Sequence, residues 1–247
     1  MGSYKEFSFF YDALTSDVNY KGMAKYLLSL FRKYDKKPTL LLDMACGTGN
    51  LSFLLAKEGI SVIGVDASEE MLSVANEKKV QSDSDVMFIC QKAEELDLYG
   101  TVDGAICSLD SLNHITDYKT FSKALKKIAL FLEKDRLFIF DLNTEYKHQS
   151  VLSDNTFVKE TDDIYCVWQN TYKPKKRLTE ISLDIFEKRG NSYNRFTEQF
   201  CERAYTAVEV EKAVLAAGLK IEAVYAENSF DEQKSDTQRV VYVTRKV

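Results

Sequence analysis

The sequence predicts an α/β protein: a doubly wound, mostly parallel sheet with a small antiparallel insertion and a helical cover at its N-terminal end. Three observations predict it. Short apolar runs alternate with helical stretches between residues 39 and 142, the rhythm of right-handed βαβ crossovers. The rhythm breaks from 155 to 204, where strand-like runs alternate one residue at a time between apolar and polar. A capped helix and two further strand-like runs then complete the chain.

The elements follow in order. Residues 20–34 read as an amphipathic helix, with Met23, Leu27, Leu30 and Phe31 at helical spacing. Thr39 to Asp43 is a short apolar strand ending in an acid, and a turn through Gly47 and Gly49 leads into a helix. That helix shows Leu51, Leu54 and Leu55 on one face and stops at Gly59. Ile60 to Val65 is a second strand ending at Asp66, and Ser68 caps the next helix, whose first turn holds Glu69 and Glu70. Val86 to Cys90 and Val102 to Cys107 are the third and fourth strands. A helix with Phe121, Leu125, Ile128 and Leu132 inward leads to the fifth, Arg136 to Leu142.

Within the break, Thr179, Ile181, Leu183 and Ile185 alternate with Glu180, Ser182 and Asp184, as in a half-buried antiparallel strand. Thr206 and Glu209 have capping-box spacing, Gly218 closes the helix they open, and Leu219 to Ala226 and Arg239 to Thr244 are the last strands.

Composition narrows the function. The 247 residues suffice for a sizeable core, and one large domain with an insertion fits better than two domains. A net charge of -5 argues against a nucleic-acid face, and Lys173 to Arg177, flanked by acids, reads as a solvated hairpin turn. Five cysteines with no C-x-x-C spacing suit reduced thiols in a cytoplasmic protein, and Cys46, Cys90 and Cys107 read as small buried fillers. Met1 to Glu6 has no apolar core of a signal peptide, and Glu6 stands where a myristoylation signal wants Ser or Thr. No apolar stretch reaches the roughly 18 residues of a membrane span. With two histidines, His114 and His148, a site built on several histidines is not expected.

The glycine turn, Leu41-Leu42-Asp43-Met44-Ala45-Cys46-Gly47-Thr48-Gly49-Asn50, lets a ligand lie against bare backbone. A dinucleotide site needs a third glycine where Ser52 stands, and Asp43 would put negative charge close to a pyrophosphate. S-adenosylmethionine reverses those needs: it has no phosphate, and its ammonium group suits a carboxylate. Asp66 is placed to accept hydrogen bonds from ribose hydroxyls under either reading.

These residues resemble the class I S-adenosylmethionine-dependent methyltransferases, whose first motif is similar to D/E-x-G-x-G-x-G. Here it reads Asp43-x-Ala45-x-Gly47-x-Gly49, with Ala45 in place of the first glycine. Val65-Asp66-Ala67-Ser68 with Met71 resembles the ribose and adenine segment, Ala93 and Glu94 the adenine-amino segment, and Val102 to Cys107 the fourth-strand motif. The last two strands resemble the family's antiparallel hairpin, which dehydrogenase folds lack. The resemblance implies a Rossmann-like core over 37–145 and 205–247, an N-terminal helical lid over 1–36 and an antiparallel substrate cover over 146–204.

The resemblance also implies a cofactor, S-adenosylmethionine, held by Tyr11, Tyr20, Asp43, Ala45, Gly47, Gly49, Asp66, Ala67, Met71, Ala93, Glu94, Cys107 and Ser108. Tyr11 or Tyr20 would close over it, as in the small-molecule N-methyltransferases similar to glycine N-methyltransferase.

In an open α/β sheet the acceptor lies beyond the carboxyl ends of the strands, here at Ser108 to His114. Asp110 is placed to orient an amine or hydroxyl, and His114 to act as a base. Asp141 and Asn143 offer too few oxygens for Mg²⁺, so no metal is expected. The other cover candidates are the aromatics Phe7, Phe9 and Phe10, and Tyr165, Trp168, Tyr172, Phe186, Tyr193, Phe196 and Phe200, which could form a cation–π cage for an amine.

Pro38 and Pro174 are followed by Thr39 and Lys175, so neither an Asn-Pro-Pro-Tyr motif nor a Pro-Cys nucleophile is present. The expected partner is thus a small-molecule acceptor, with the chain monomeric or a homodimer. A non-catalytic S-adenosylmethionine-binding sensor is the alternative, ahead of an NAD-dependent oxidoreductase or an RNA methyltransferase.

Overall fold

A computed structural model describes residues 7–35 and 37–247. The expectations for Met1 to Glu6, and for the side chain of Phe7, lie outside the described residues.

The chain begins with α1 (Phe7–Leu14) and α2 (Tyr20–Tyr34). It continues through β1 (Leu40–Met44), α3 (Asn50–Lys57), β2 (Ser61–Asp66), α4 (Glu69–Ser82), β3 (Met87–Cys90), β4 (Gly104–Cys107), α5 (Tyr118–Phe131) and β5 (Leu137–Asn143). Four strands follow, β6 (Thr156–Glu160), β7 (Ile164–Lys173), β8 (Leu178–Arg189) and β9 (Ser192–Arg203), then α6 (Ala207–Ala216), β10 (Leu219–Ala226) and β11 (Arg239–Lys246).

The main sheet has the order β10-β11-β5-β4-β1-β2-β3. Its first five strands in sequence are parallel, β11 runs antiparallel to β5, and β10 pairs antiparallel with β11. The expected doubly wound sheet and terminal hairpin are both present.

Alternation along β5 explains the layering. Phe138 and Phe140 join Phe121, Ile128, Val210 and Val214 on the face covered by α5 and α6. Leu137 and Ile139 join Leu27, Phe31 and Leu55 on the face covered by α2 and α3. Every residue of β5 is buried, as expected of a strand covered on both sides.

The expected caps are in place: Ser68 accepts from the Met71 amide, and Thr206 with Glu209 forms the reciprocal capping box. The fourth strand is shorter than its apolar run. Val102 makes only an isolated bridge with Leu132, because the Asp103 carboxylate turns back to accept the amides of Thr39 and Leu40.

The segment with two-residue alternation is a second sheet of order β6-β7-β8-β9, antiparallel throughout. Pairing Ile185 with Cys166 and with Phe196 puts apolar side chains on one face, where α1 docks Phe10 and Leu14. Helix α1 and the second sheet therefore pack on each other. Helix α1 falls within the helical segment expected over 1–36, though no periodicity marks its bounds, and a π-helical turn at Lys147–Leu152 escapes sequence reading.

Candidate functional site

The parallel strands deliver Asp43, Asp66 and Cys107 to one edge of the sheet. Asp43 stands opposite Gly64 of β2 and Ile106 of β4, and Asp66 ends β2 opposite Cys90. After β1 the chain turns through three residues of positive φ: Ala45 at 58°, Gly47 at 56° and Gly49 at 78°. Ala45 holds the left-handed conformation that glycine adopts without strain, so its departure from the motif has a local cost.

A side chain at Gly47 would meet nothing nearer than the Tyr11 ring at 4.0 Å, so the turn presents an open floor under Tyr11. Gly49 is different. A Cβ there would come within 2.8 Å of Phe88, so its missing side chain serves helix packing.

The Asp66 carboxylate accepts the amide of Gly47 at 2.8 Å on one oxygen and that of Ser68 at 2.9 Å on the other. Burial raises its pKa, against the backbone hydrogen bonds of Ser68, Gly47 and Ala67. Asp43 is 2 % exposed and accepts from Ser52, the residue at the missing third-glycine position. Burial, and then the neighbouring Asp66, push the Asp43 carboxyl up to about 7, against the Ser52 hydrogen bond. Among the described residues no cation pairs with Asp43, and a buried acid of that kind is matched by a cationic ligand.

Ala67, on the exposed side, and the half-buried Ala93 and Glu94 in a 3₁₀ turn follow β2 and β3, with the Gln91 amide donating to the Asp66 carbonyl. Met71 is buried in the first turn of α4. Cys107 has its side chain in the core, while Ser108 is half-buried just beyond it. Of the cysteines read as buried fillers only Cys107 is fully buried. Cys46 is half-buried and Cys90 exposed, since β3 is an edge strand.

Helix α1 is latched over this turn. Asp12 accepts from Thr48 Oγ1 at 2.7 Å and Asn50 Nδ2 at 2.8 Å, and pairs with Lys78 of α4. Tyr11 is hydrogen-bonded to Tyr20. Its hydroxyl is held well above the usual phenol range by burial first, then by Tyr20, Asp110 and Asp66. Tyr11 thus lies within electrostatic reach of both ends of the crevice.

Beyond β4, Leu109 and Asp110 both have positive φ, 60° and 50°. The strain is held by Asp141, whose carboxylate accepts the Leu109 amide at 2.9 Å and the Asp110 amide at 2.6 Å. Arg239 of β11 pairs with Asp110, and with Glu227 at 2.9 Å. Burial alone would raise the Asp110 carboxyl, but Arg239 and Lys147 hold it below its ordinary value.

Asn143 donates to Asp110 at 2.8 Å and to Glu202 of β9 at 3.2 Å, and accepts from Lys147 at 3.0 Å. His114 lies 3.8 Å from one Glu202 oxygen with its ring tilted against Phe200, and burial holds its imidazole below the ordinary value. The fully buried His148 lies 4.0 Å from the other oxygen. Both histidines of the chain therefore face one carboxylate, a juxtaposition that the sequence did not show. Sequence reading missed Glu202 and Arg239. The available signal was an acid on the apolar face of β9, where Phe196, Phe200 and Glu202 share one parity.

The aromatics divide. Phe10 and Phe196 stack at 5.1 Å on the inner face of the second sheet, and Trp168, Tyr172 and Phe200 share that parity. Tyr165 and Tyr193 are exposed on the opposite parity, with Phe186 beside Tyr165, so these three line no cage over the crevice. Phe9 is exposed as well. Within the basic turn, Arg177 pairs with Glu209 at 2.8 Å and is not simply solvated.

Comparison with known proteins agrees with this geometry. A methyltransferase-domain family profile matches residues 41–135. The Bacillus subtilis (strain 168) protein YqeM, which carries the name of a methyltransferase, is 28% identical over 98% of this chain and 97% of its own. The crystal structure of an S-adenosylmethionine-dependent methyltransferase from Clostridium acetobutylicum is 31% identical, covers 98% of both chains and superposes with a TM-score of 0.87. CalS10 from Micromonospora echinaspora, an amino pentose methyltransferase solved with S-adenosylmethionine bound, shares the fold at 17% identity. It covers 93% of this chain and 92% of its own, with a TM-score of 0.74. Among the described residues no helix is long and apolar enough to cross a membrane.

Proposed function

This chain belongs to the S-adenosylmethionine-dependent methyltransferases, and we propose that it methylates a small molecule through an amine or hydroxyl. The observation that carries the reading is Tyr11, roofing Gly47 while its hydroxyl feels both Asp66 and Asp110. One covered crevice then holds a nucleoside end and a polar acceptor end. The sulfonium cofactor supplies an activated methyl group.

The residues of this chain bind, align and exclude water. Asp66 takes the ribose hydroxyls, Gly47 and Ala45 form the floor, and Asp43 stands near the ammonium end. Ala67, Met71, Ala93 and Glu94 flank the adenine, Tyr11 and Tyr20 close above, and Cys107 and Ser108 contribute main chain at the end of β4. Gly49 shapes the turn from below. Asp110 orients the acceptor, and His114, a third exposed, is the base at the open side.

Residues 1–36 act as lid, 146–204 as substrate cover, and 37–145 with 205–247 as the cofactor core. Support for a small acceptor comes from α1, latched over the turn through Asp12, and from a net charge of -5 that disfavours a nucleic-acid acceptor. The name of the CalS10 neighbour, an amino pentose methyltransferase, points the same way.

The test is incubation with methyl-labelled S-adenosylmethionine and a fractionated cell extract. Label in a low-mass product is expected. Label confined to RNA or protein, or cofactor binding with no label moved, would overturn the reading.

A further inference from the structure

Glu202 is a carboxylate without a full cationic partner. Its side chain is 4 % exposed, and its ion-pair contacts among the described residues are His114 at 3.8 Å and His148 at 4.0 Å. Its one neutral donor is Asn143 at 3.2 Å. Leaving a buried carboxylate so poorly compensated costs several kcal/mol in general, and such groups are kept neutral or matched by a ligand.

His148 makes the point independently. It is fully buried, its Nδ1 is tied to Thr179 at 2.8 Å, and its Nε2, on the Glu202 side, has no hydrogen-bond partner among the described residues. A buried donor-acceptor atom left unmatched beside a carboxylate marks a place where a polar ligand or a proton is missing.

We propose that Glu202 receives the ammonium group of an amine acceptor and takes its proton, so that the substrate is an amine and not an alcohol. This rests on the reading that a small acceptor enters the crevice beyond β4. The step balances as follows. An N–H bond of the ammonium breaks, its proton goes to a Glu202 oxygen, and the electron pair stays on nitrogen. That pair attacks the sulfonium methyl carbon, and the C–S bond breaks with its electrons passing to sulfur. The products are S-adenosylhomocysteine and a methylated ammonium. His114, on the exposed side, then carries the proton from Glu202 to solvent.

The chemistry selects the substrate class. A carboxyl pushed up to about 8 by burial and by Asp110, against Asn143, Lys147 and Arg239, is within reach of an alkylammonium near about 10. An alcohol, close to the roughly 16 of water, is far beyond it. Five charged or titratable groups face Glu202: Asp110, His114, Lys147, His148 and Arg239.

The same trio of Asp110, His114 and Glu202 brings ligand atoms within 4.8 Å of one another, a spacing that could hold a divalent ion. The oxygens of Asp110, however, are engaged by Arg239 and Asn143. The ammonium reading needs only a carboxylate whose contacts are one amide and two distant imidazoles.

The test is a ¹³C NMR titration of the glutamate side-chain carboxyls in the protein saturated with S-adenosylhomocysteine, with ethylammonium chloride, ethanol or MnCl₂ as probe. Glu202→Gln assigns the signal, and Glu202→Asp does so equally should the first variant not fold. The expected result is a Glu202 midpoint lowered by about tenfold in proton affinity with ethylammonium and unmoved by ethanol. Glu202→Gln should lose ethylammonium binding at least tenfold while holding S-adenosylhomocysteine within twofold. No response to ethylammonium, an equal response to ethanol, or selective broadening by micromolar Mn²⁺ in its place would overturn the proposal. Failure of the wild type to bind S-adenosylhomocysteine would instead strike the methyltransferase reading, so the two failures are distinguishable.

Discussion

The two ends of the crevice hold their carboxylates by opposite means. At the proposed cofactor end Asp66 is fixed by amides two and nineteen positions away, and Asp43 by a hydroxyl nine positions away. At the proposed acceptor end Asp110 is held by Arg239 across 129 positions, and Glu202 by Asn143 across 59. A site built from near neighbours forms with its own turn. A site built from four distant segments exists only when the whole fold is closed around it, so its polar groups are coupled to global stability.

The largest expected effect is at Arg239, whose side chain is 11 % exposed and which faces Asp110, Asp141 and Glu227. Arg239→Met strands buried carboxylates and should lower the unfolding free energy by about 3–5 kcal/mol. Urea titration checks it, and a loss below about 1 kcal/mol would mean the cluster is solvated. At the other end the effect should fall on binding. Asp66→Ala is expected to weaken S-adenosylhomocysteine by about 1–3 kcal/mol, roughly 5- to 150-fold, with little change in stability.

Glu202 sharpens the contrast through pH. Its folded value, about 8, lies above the ordinary glutamate value of about 4.3. Its contribution to stability is therefore complete below that ordinary value and is lost as pH rises through about 8. Glutamine mimics the protonated form, so Glu202→Gln should gain on the wild type between pH 6 and 9. About 2–3 kcal/mol, or roughly 4–12 °C in Tm, is expected by thermal denaturation. A gap that is constant with pH would show that Glu202 keeps its charge.

The smallest effect belongs to Ala45. Relief of its left-handed strain, about 1–2 kcal/mol, less the added chain entropy of glycine, leaves Ala45→Gly more stable by about 0.5–1 kcal/mol. Unchanged stability by the same urea titration would place the strain elsewhere.

The same contrast decides what the sequence could tell. Leu40 to Met44, the Gly47 and Gly49 turn and Asp66 carry local signals: an apolar run, glycines at positive φ, an acid at a strand end. They were legible, as were the alternation of β8 and the capping box at Thr206. The bounds of helix α1 were not legible within the expected lid, because its eight residues are held by contacts with Ile181 and Leu183 far along the chain. Asp141 was weighed only as an oxygen ligand, since its partners are the strained amides of a loop that no periodicity describes. Glu202 drew no reading, as an acid in a strand carries no local signal of its partners. Only the closed fold sets it between the two histidines.

The separation of the two ends is tested most directly by calorimetric titration of S-adenosylhomocysteine into wild type, Asp66→Ala and Glu202→Gln side by side. The account predicts one site in the wild type, weakened by at least fivefold in Asp66→Ala and changed by less than twofold in Glu202→Gln. Equal weakening in both variants, or binding indifferent to Asp66, would contradict it.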